Sequence, residues 1–250
     1  MKFAYGSSKK GDVSEALRTI TEPAALFFSV AKEDMLERAA SEIEKTFPGV
    51  ASIGGVGQAY IDRQFFDAGI TVIAMKENIK VVADVLEEAS VMPIKYIRRL
   101  ESAVRAVGGE RGNTACFDIC SAGADVRAVT TLSDYLCRLG YDLAGGTSNS
   151  AMVACNGRVY KDACAFFIFR NLRGKIKSYK ENIYVHPEEN AKQFMVTEAD
   201  PKKYKIRTLE NTSAEKVYTS ELGIGRDKIT TQTFKNPFEH VCNNDTYIVS

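Results

Sequence analysis

What this chain lacks narrows it first. Neither sign of charge dominates: 33 Lys and Arg stand against 32 Asp and Glu in 250 residues. That balance withholds the basic footprint that nucleic acid or an anionic membrane surface requires of a partner. Long hydrophobic runs are missing as well. The longest, Ala163–Phe169, falls far short of the roughly 20 apolar residues that cross a bilayer as a helix. The opening Met1-Lys-Phe-Ala-Tyr-Gly6 turns polar at once and predicts no signal peptide. A soluble, cytoplasmic protein with no membrane insertion is the expectation.

Catalytic signatures are scarce. Only two histidines are present, His186 and His240, and no local spacing joins either to a nucleophile. Zinc motifs of the Cys-x2-Cys or His-x3-His kind are absent. Gly55-Val-Gly57 fails the dinucleotide fingerprint, because Tyr60 stands where a third glycine is needed. There is no Gly-x4-Gly-Lys-Ser/Thr cradle and no Gly-x-Ser-x-Gly elbow. Each histidine reads as an ordinary surface or hydrogen-bonding residue, with single-point haem ligation kept open. The six cysteines do not form a disulfide framework. Cys116 and Cys120 share one strand face about 13 Å apart, too far for a disulfide or one metal. Cys137 falls on a helix, Cys164 inside an apolar strand, and Cys155 and Cys242 near loops. All six read as small hydrophobes in a reducing compartment, with no metal site expected.

What is present is organised around two glycine pairs, Ile53-Gly-Gly-Val-Gly57 and Ala144-Gly-Gly-Thr-Ser148. Each reads as a sharp turn at a strand end, or as backbone that comes close to another group. Before the first pair come a strand, Ala24–Val30, and a helix carrying Leu36, Ala39, Ala40, Ile43 and Phe47 at helical spacing. After it come two strands, Gly69–Met75 and Ile79–Val85, read as a hairpin across Lys76-Glu-Asn78, then a helix with Ile97, Leu100, Val104 and Val107 on one stripe. The order then repeats. Ala115–Cys120 is a strand, Asp125 N-caps a helix facing inward through Val129, Leu132, Leu136 and Leu139, and the second glycine pair follows. Strands Ala163–Phe169 and Gly174–Tyr179 close that copy.

This pattern predicts an α/β fold. Its mixed sheets are built from an internally duplicated strand-helix-strand-GlyGly-strand-strand unit, with copies over about 24–109 and 114–180. Residues 181–250 form an α+β tail, and the abrupt end after Tyr247-Ile-Val249 predicts truncation from a longer chain. A cleft where the copies meet is the default ligand site.

Within that scheme Asp118 interrupts an apolar strand on the face of Cys116 and Cys120, so it needs a partner: a ligand amine, an internal base or a nearby turn. Thr147, Ser148 and Asn149 offer hydroxyl, amide and backbone donors beside Gly145 and Gly146. Gly54 and Gly55 are the matching pair in the first copy. Arg170, at the end of a late strand, completes the candidate ligand-binding set, with a solvated strand end as its plain alternative. No catalytic residue is assigned.

Taken together these features resemble the FIST domain, the sensory module named for F-box and intracellular signal transduction proteins. Ile53-Gly-Gly-Val-Gly-Gln-Ala-Tyr60 stands where the family has an Ile-Gly-Cys-Ser-Thr-Ala-Gly-Glu-like loop. Ala144-Gly-Gly-Thr-Ser-Asn149 stands for its Gly-Gly-hydrophobic-Ala-Gly-Asp. The turn Asn156-Gly-Arg-Val159, the Val196-Thr197 pair, Lys216–Leu222 and Phe234-Lys-Asn-Pro237 also resemble family segments. Gly55 replaces the usual cysteine, and the second loop lacks the usual Asp. The resemblance implies a cytoplasmic domain that senses a small molecule, amino acids foremost, without catalysis. It implies a fused or associated output domain: a chemotaxis transducer, a histidine kinase or a cyclic-dinucleotide enzyme. Two alternatives stay open, a haem-binding nitric-oxide sensor using His186 or His240, and a cysteine-dependent hydrolase.

Overall fold

The protein is a mixed α/β structure. A computed structural model describes residues 1–61, 64–179, 192–200, 205–233, 235–242 and 245–249. The chain divides into two compact units, Met1–Lys180 and Glu181–Ser250.

The first unit runs β1 (Lys2–Ser8), α1 (Val13–Leu17), β2 (Ala25–Val30), α2 (Leu36–Thr46), β3 (Ala51–Val56), β4 (Ala59–Ile61), β5 (Gln64–Phe66) and β6 (Ile70–Lys76). It continues through β7 (Ile79–Leu86), α3 (Ile97–Val107), β8 (Thr114–Cys120), α4 (Asp125–Leu139), β9 (Asp142–Thr147), β10 (Met152–Cys155), β11 (Arg158–Lys161) and β12 (Cys164–Asn171). Two sheets result, one of six strands in the order β1-β6-β2-β3-β10-β11 and one of four in the order β7-β12-β8-β9.

Alternation along the strands decides how these sheets stack. Leu26, Phe28 and Val30 of β2 join Ala16, Leu36, Ala40 and Ile43 in a core between the six-stranded sheet and α1 and α2. Cys116 and Cys120 of β8 and Phe166 and Ile168 of β12 pack on Leu100, Val107, Leu132 and Leu136 of α3 and α4. The remaining faces meet each other through Ala25 and Ile53 on one side and Val85, Ile119, Ala165 and Phe167 on the other. The unit is therefore layered helix, sheet, sheet, helix. This is why β12 is apolar without interruption from Cys164 to Ile168: both of its faces are buried there.

Ser148 pins the two sheets together just past β9. Its backbone N–H donates to the Cys120 carbonyl at 2.7 Å. Its hydroxyl accepts from the Val56 N–H at 3.0 Å and donates to the Met152 carbonyl at 2.9 Å.

Four local expectations need correction. The strands around Lys76-Glu-Asn78 are not a hairpin: β6 lies between β1 and β2 in one sheet while β7 pairs with β12 in the other. Both edges of β6 are already taken, and Glu77 and Asn78, at φ 53 and 54, carry the chain across. Residues 174–179 form no strand. Asp125 is the first residue of α4, not its cap, and α4 buries Ala128, Leu132 and Leu136 while Val129 and Leu139 are 37% exposed. Both glycine pairs lie inside strands, in β3 and β9, and none of the four has a positive φ. They serve close approach, not turning.

The two sheets share a sub-order. In each, a central strand (β2 or β8) has a parallel neighbour bearing the glycine pair (β3 or β9) and an antiparallel neighbour on its other side (β6 or β12).

The second unit contains a sheet of β13 (Val196–Asp200), β14 (Lys205–Leu209) and β15 (Thr212–Ser213), followed by α5 (Ala214–Leu222), α6 (Ile229–Thr233), β16 (Phe238–Cys242) and β17 (Asp245–Val249). Tyr218 anchors it, stacking edge-on against Phe238 with ring centroids 5.2 Å apart and donating its hydroxyl to the Asn236 carbonyl. No helix among the described residues is long and apolar enough to cross a membrane.

The glycines differ in what they make room for. A Cβ on Gly54 would stand 2.6 Å from the Phe28 ring, which is itself fully packed, whereas one on Gly146 would meet nothing within 4 Å. Gly54→Ala should lower stability by about 1–3 kcal/mol, the usual cost of overpacking a core. Gly146→Ala should be close to neutral, and urea midpoints at unchanged m-value separate the two.

Candidate functional site

β9 is the outer strand of the four-stranded sheet, with β8 as its one neighbour there, and Ala144–Thr147 are exposed along it. Between this edge and α4 lies a cleft of about 420 Å³. Its walls are Asp118, Tyr141, Asp142, Leu143, the Ala144–Thr147 stretch and Ser178, with Asp125, Val129, Ser133 and Cys137 contributed by α4. Three carboxylates thus face one cavity, and no lysine or arginine lines it among the described residues. Asp125 accepts a hydrogen bond from the Thr147 hydroxyl at 3.2 Å, and Asp142 accepts one from Ser178 at 2.9 Å.

Asp118 is the deepest of the three, only 2% exposed. It projects from the centre of β8 toward the helices because strand alternation places it on the face of Cys116 and Cys120. Its Oδ2 accepts weak bonds from the thiols of Cys120 at 3.3 Å and Cys164 at 3.8 Å. Burial raises its pKa to about 6, against a smaller lowering by the two thiols. A glycine neighbour makes this arrangement possible. Gly145 is the register partner of Asp118, and a Cβ there would fall 2.2 Å from Asp118 Oδ1 and 2.4 Å from its carbonyl oxygen.

Of the residues proposed from sequence, the cleft gathers Asp118, Gly145, Gly146 and Thr147. The others lie elsewhere. Ser148 is buried in the pin between the sheets, and the Asn149 N–H donates to the Val56 carbonyl at 2.7 Å. Gly54 and Gly55 are buried in β3, where a Cβ would strike Phe28 and Ile119 respectively. Arg170 donates to the Gly108 carbonyl at 2.6 Å and to Glu110 at 2.5 Å, satisfying the C-terminal end of α3. It sits four residue pairs along β12 from Asp118, about 13 Å at strand rise. His186 lies outside the described residues, as does the side chain of His240, whose backbone belongs to β16.

Among the lining residues that sequence reasoning missed are Asp125, Tyr141 and Asp142. Their signal was present in part: Asp125 opens α4 and Asp142 opens β9, so the helix lying along β9 has a carboxylate near each end of the cleft.

A second cavity, of about 520 Å³, lies beside α2, lined by Lys32, Glu33, Asp34, Glu37, Met152 and Val159. Its polar walls are surface charges, and Glu33 is already engaged by the Ser150 hydroxyl at 2.5 Å.

A sequence model of the family described as FIST N domain matches residues 24–212 of this chain. A comparison with curated proteins finds no match. Among solved structures, a cyanuric acid hydrolase from A. caulinodans aligns over 68% of this chain and 71% of its own at 10% identity, with a TM-score of 0.36. A likeness that weak carries no conclusion about activity.

The buried carboxylate has a measurable consequence. An Asp whose folded pKa lies near 6, above the unfolded value of about 3.9, binds its proton more tightly when native. The penalty is absent below about pH 4 and complete above about pH 7, where it reaches roughly 3 kcal/mol. Relative to the parent, Asp118→Asn should therefore gain about 3 kcal/mol between pH 4 and pH 7.5. Urea unfolding in metal-free buffer across that range measures it, and a pH-independent difference would disprove it.

Proposed function

Because this chain belongs to the FIST N domain family, we propose that it is a small-ligand sensory domain of a signal-transduction protein. In this reading the cleft along β9 holds the ligand by a positively charged amine. The observation that carries the reading is Asp118: a carboxylate 2% exposed, in a cleft with two further carboxylates and, among the described residues, no basic residue in its lining. A buried anion calls for a countercharge, and an ammonium group from solution supplies one. The free edge of β9 adds outward backbone N–H and C=O groups for the rest of the molecule. An amino acid or a similar amine-bearing metabolite fits that chemistry, its ammonium at Asp118 and its carboxylate on the edge amides.

The reading is non-catalytic. Burial pushes the Cys155 thiol up to about 12 and raises Cys116 well above the ordinary thiol range, the reverse of what a cysteine nucleophile needs. The shared strand sub-order of the two sheets supports an origin of the first unit in two copies of one strand-helix-strand unit, followed by the α+β tail. A cytoplasmic setting and a fused or associated output domain, such as a chemotaxis transducer, histidine kinase or cyclic-dinucleotide enzyme, belong to the same proposal.

A thermal-shift panel of amino acids and simple amines tests the proposal. A ligand at 100 times its Kd should stabilise the native state by about 2.7 kcal/mol. Asp118→Asn should abolish the shift, and affinity should weaken as pH falls below about 6, where Asp118 takes up its proton. Absence of any shift, or one unchanged in the variant, overturns the amine reading.

A further inference from the structure

Behind the cleft, Asp118 belongs to a second cluster that the amine reading does not use. Cys120 follows it by two residues on the same face of β8, and Cys164 of β12 is the register partner of Cys120. Asp118 Oδ2 and the two Sγ atoms lie within 4.8 Å of one another, and all three residues are buried.

We propose that Asp118, Cys120 and Cys164 form a buried binding site for a thiophilic divalent cation of the zinc class. Three features converge on it. The donor set, two thiols and a carboxylate, is one that zinc takes up. The geometry matches: bonds of about 2.0–2.3 Å in a tetrahedron place ligand atoms roughly 3.3–3.8 Å apart, and the oxygen–sulfur distances are 3.3 and 3.8 Å. Charge also balances. The ion displaces one proton from each thiol to solvent, so two positive charges replace two, and the buried cluster keeps its net charge. No electron is transferred.

Entry and the fourth ligand come from the cleft side, where Asp118 forms part of the wall. Oδ1 is turned toward Gly145 on β9, while Oδ2 faces the thiols. One carboxylate can therefore serve a ligand in the cleft and a cation behind it. This site goes beyond the sensory reading and does not depend on it.

Cobalt is the direct probe. Chelator-treated full-length protein titrated with Co²⁺ should bind one equivalent, with intense sulfur-to-cobalt charge-transfer absorption and the visible bands of four-coordinate cobalt. Zn²⁺ should bleach them. Cys120→Ser and Cys164→Ser should each lose the charge-transfer band, whereas Cys155→Ser, whose side chain lies in the core between the sheets, should keep it. Should either serine variant fail to fold by circular dichroism, differential alkylation of the parent decides the matter. Zn²⁺ should then protect Cys120 and Cys164 from alkylation under mild denaturation while leaving Cys155 as reactive as before. Failure of the folded parent to bind Co²⁺ or Zn²⁺ stoichiometrically overturns the proposal. So does a band that survives loss of either thiol, or zinc protection that spares both. Amine binding without metal binding would sink this site alone, and metal binding without amine binding would sink only the sensory reading.

Discussion

The rest of the first unit depends on two sheets that approach face to face. Each sheet buries one side against helices and the other against its counterpart, so strands near the centre cannot alternate polar and apolar residues. Ala165, Phe166, Phe167 and Ile168 of β12 are all fully buried for that reason. The approach is close enough that side chains must be omitted at places. Gly55 is one, since a Cβ there would come within 2.5 Å of Ile119 from the opposite sheet and 3.3 Å of Ser148. Ser148 then satisfies backbone groups from β3, β8 and β10 at the same point, groups that burial would otherwise leave unpaired.

That constraint also sets where a ligand can go. The four-stranded sheet ends at β9. With no further strand beyond it among the described residues, β9 keeps a free edge, and α4 crosses close enough to close a cleft along it. Polarity enters here and not in the core between the sheets. Ile119 points into that core, while Asp118 one residue earlier points to the helix side and reaches the cleft wall. The carboxylate therefore lies at a boundary, desolvated enough to raise its pKa yet open to a partner through the gap at Gly145.

Much of this was legible in the sequence, and what was not has a physical cause. Composition and period located the long strands and helices that carry the core of the first unit, though not β4, β5, β10 or β11, because apolar runs and helical stripes are local signals. Pairing is not local. The tight link Lys76-Glu-Asn78 resembles a hairpin turn, and only competition for the edges of β6 sends β7 to the other sheet. The glycine pairs resembled turns for the same reason: nothing nearby in sequence reveals Phe28, Ile119 or Asp118 as the groups that need the space. Asp118 was readable as a buried carboxylate on the face of Cys120, since two residues on one strand share a side. Cys164, 44 residues after Cys120, became a neighbour only through the register of β12 against β8. Cysteines that spacing treats as inert are brought together by pairing.

Register also explains what the two glycine pairs have in common. Gly54 pairs with Phe28 on β2, and Gly145 pairs with Asp118 on β8. In each sheet the glycine stands on the parallel neighbour of the central strand, and the partner's side chain leans over it. The packing problem is the same, but the first sheet fills the space with an aromatic ring deep in an apolar core, and the second with a carboxylate. A ring there contributes cohesion. A carboxylate costs stability unless something charged compensates it, and two sulfur contacts of 3.3 and 3.8 Å compensate it poorly. A fold that already has an apolar solution at the matching position retains a polar one at the cost of stability. Stability alone therefore does not account for Asp118, and the cleft beside it is where a return for that cost can be collected.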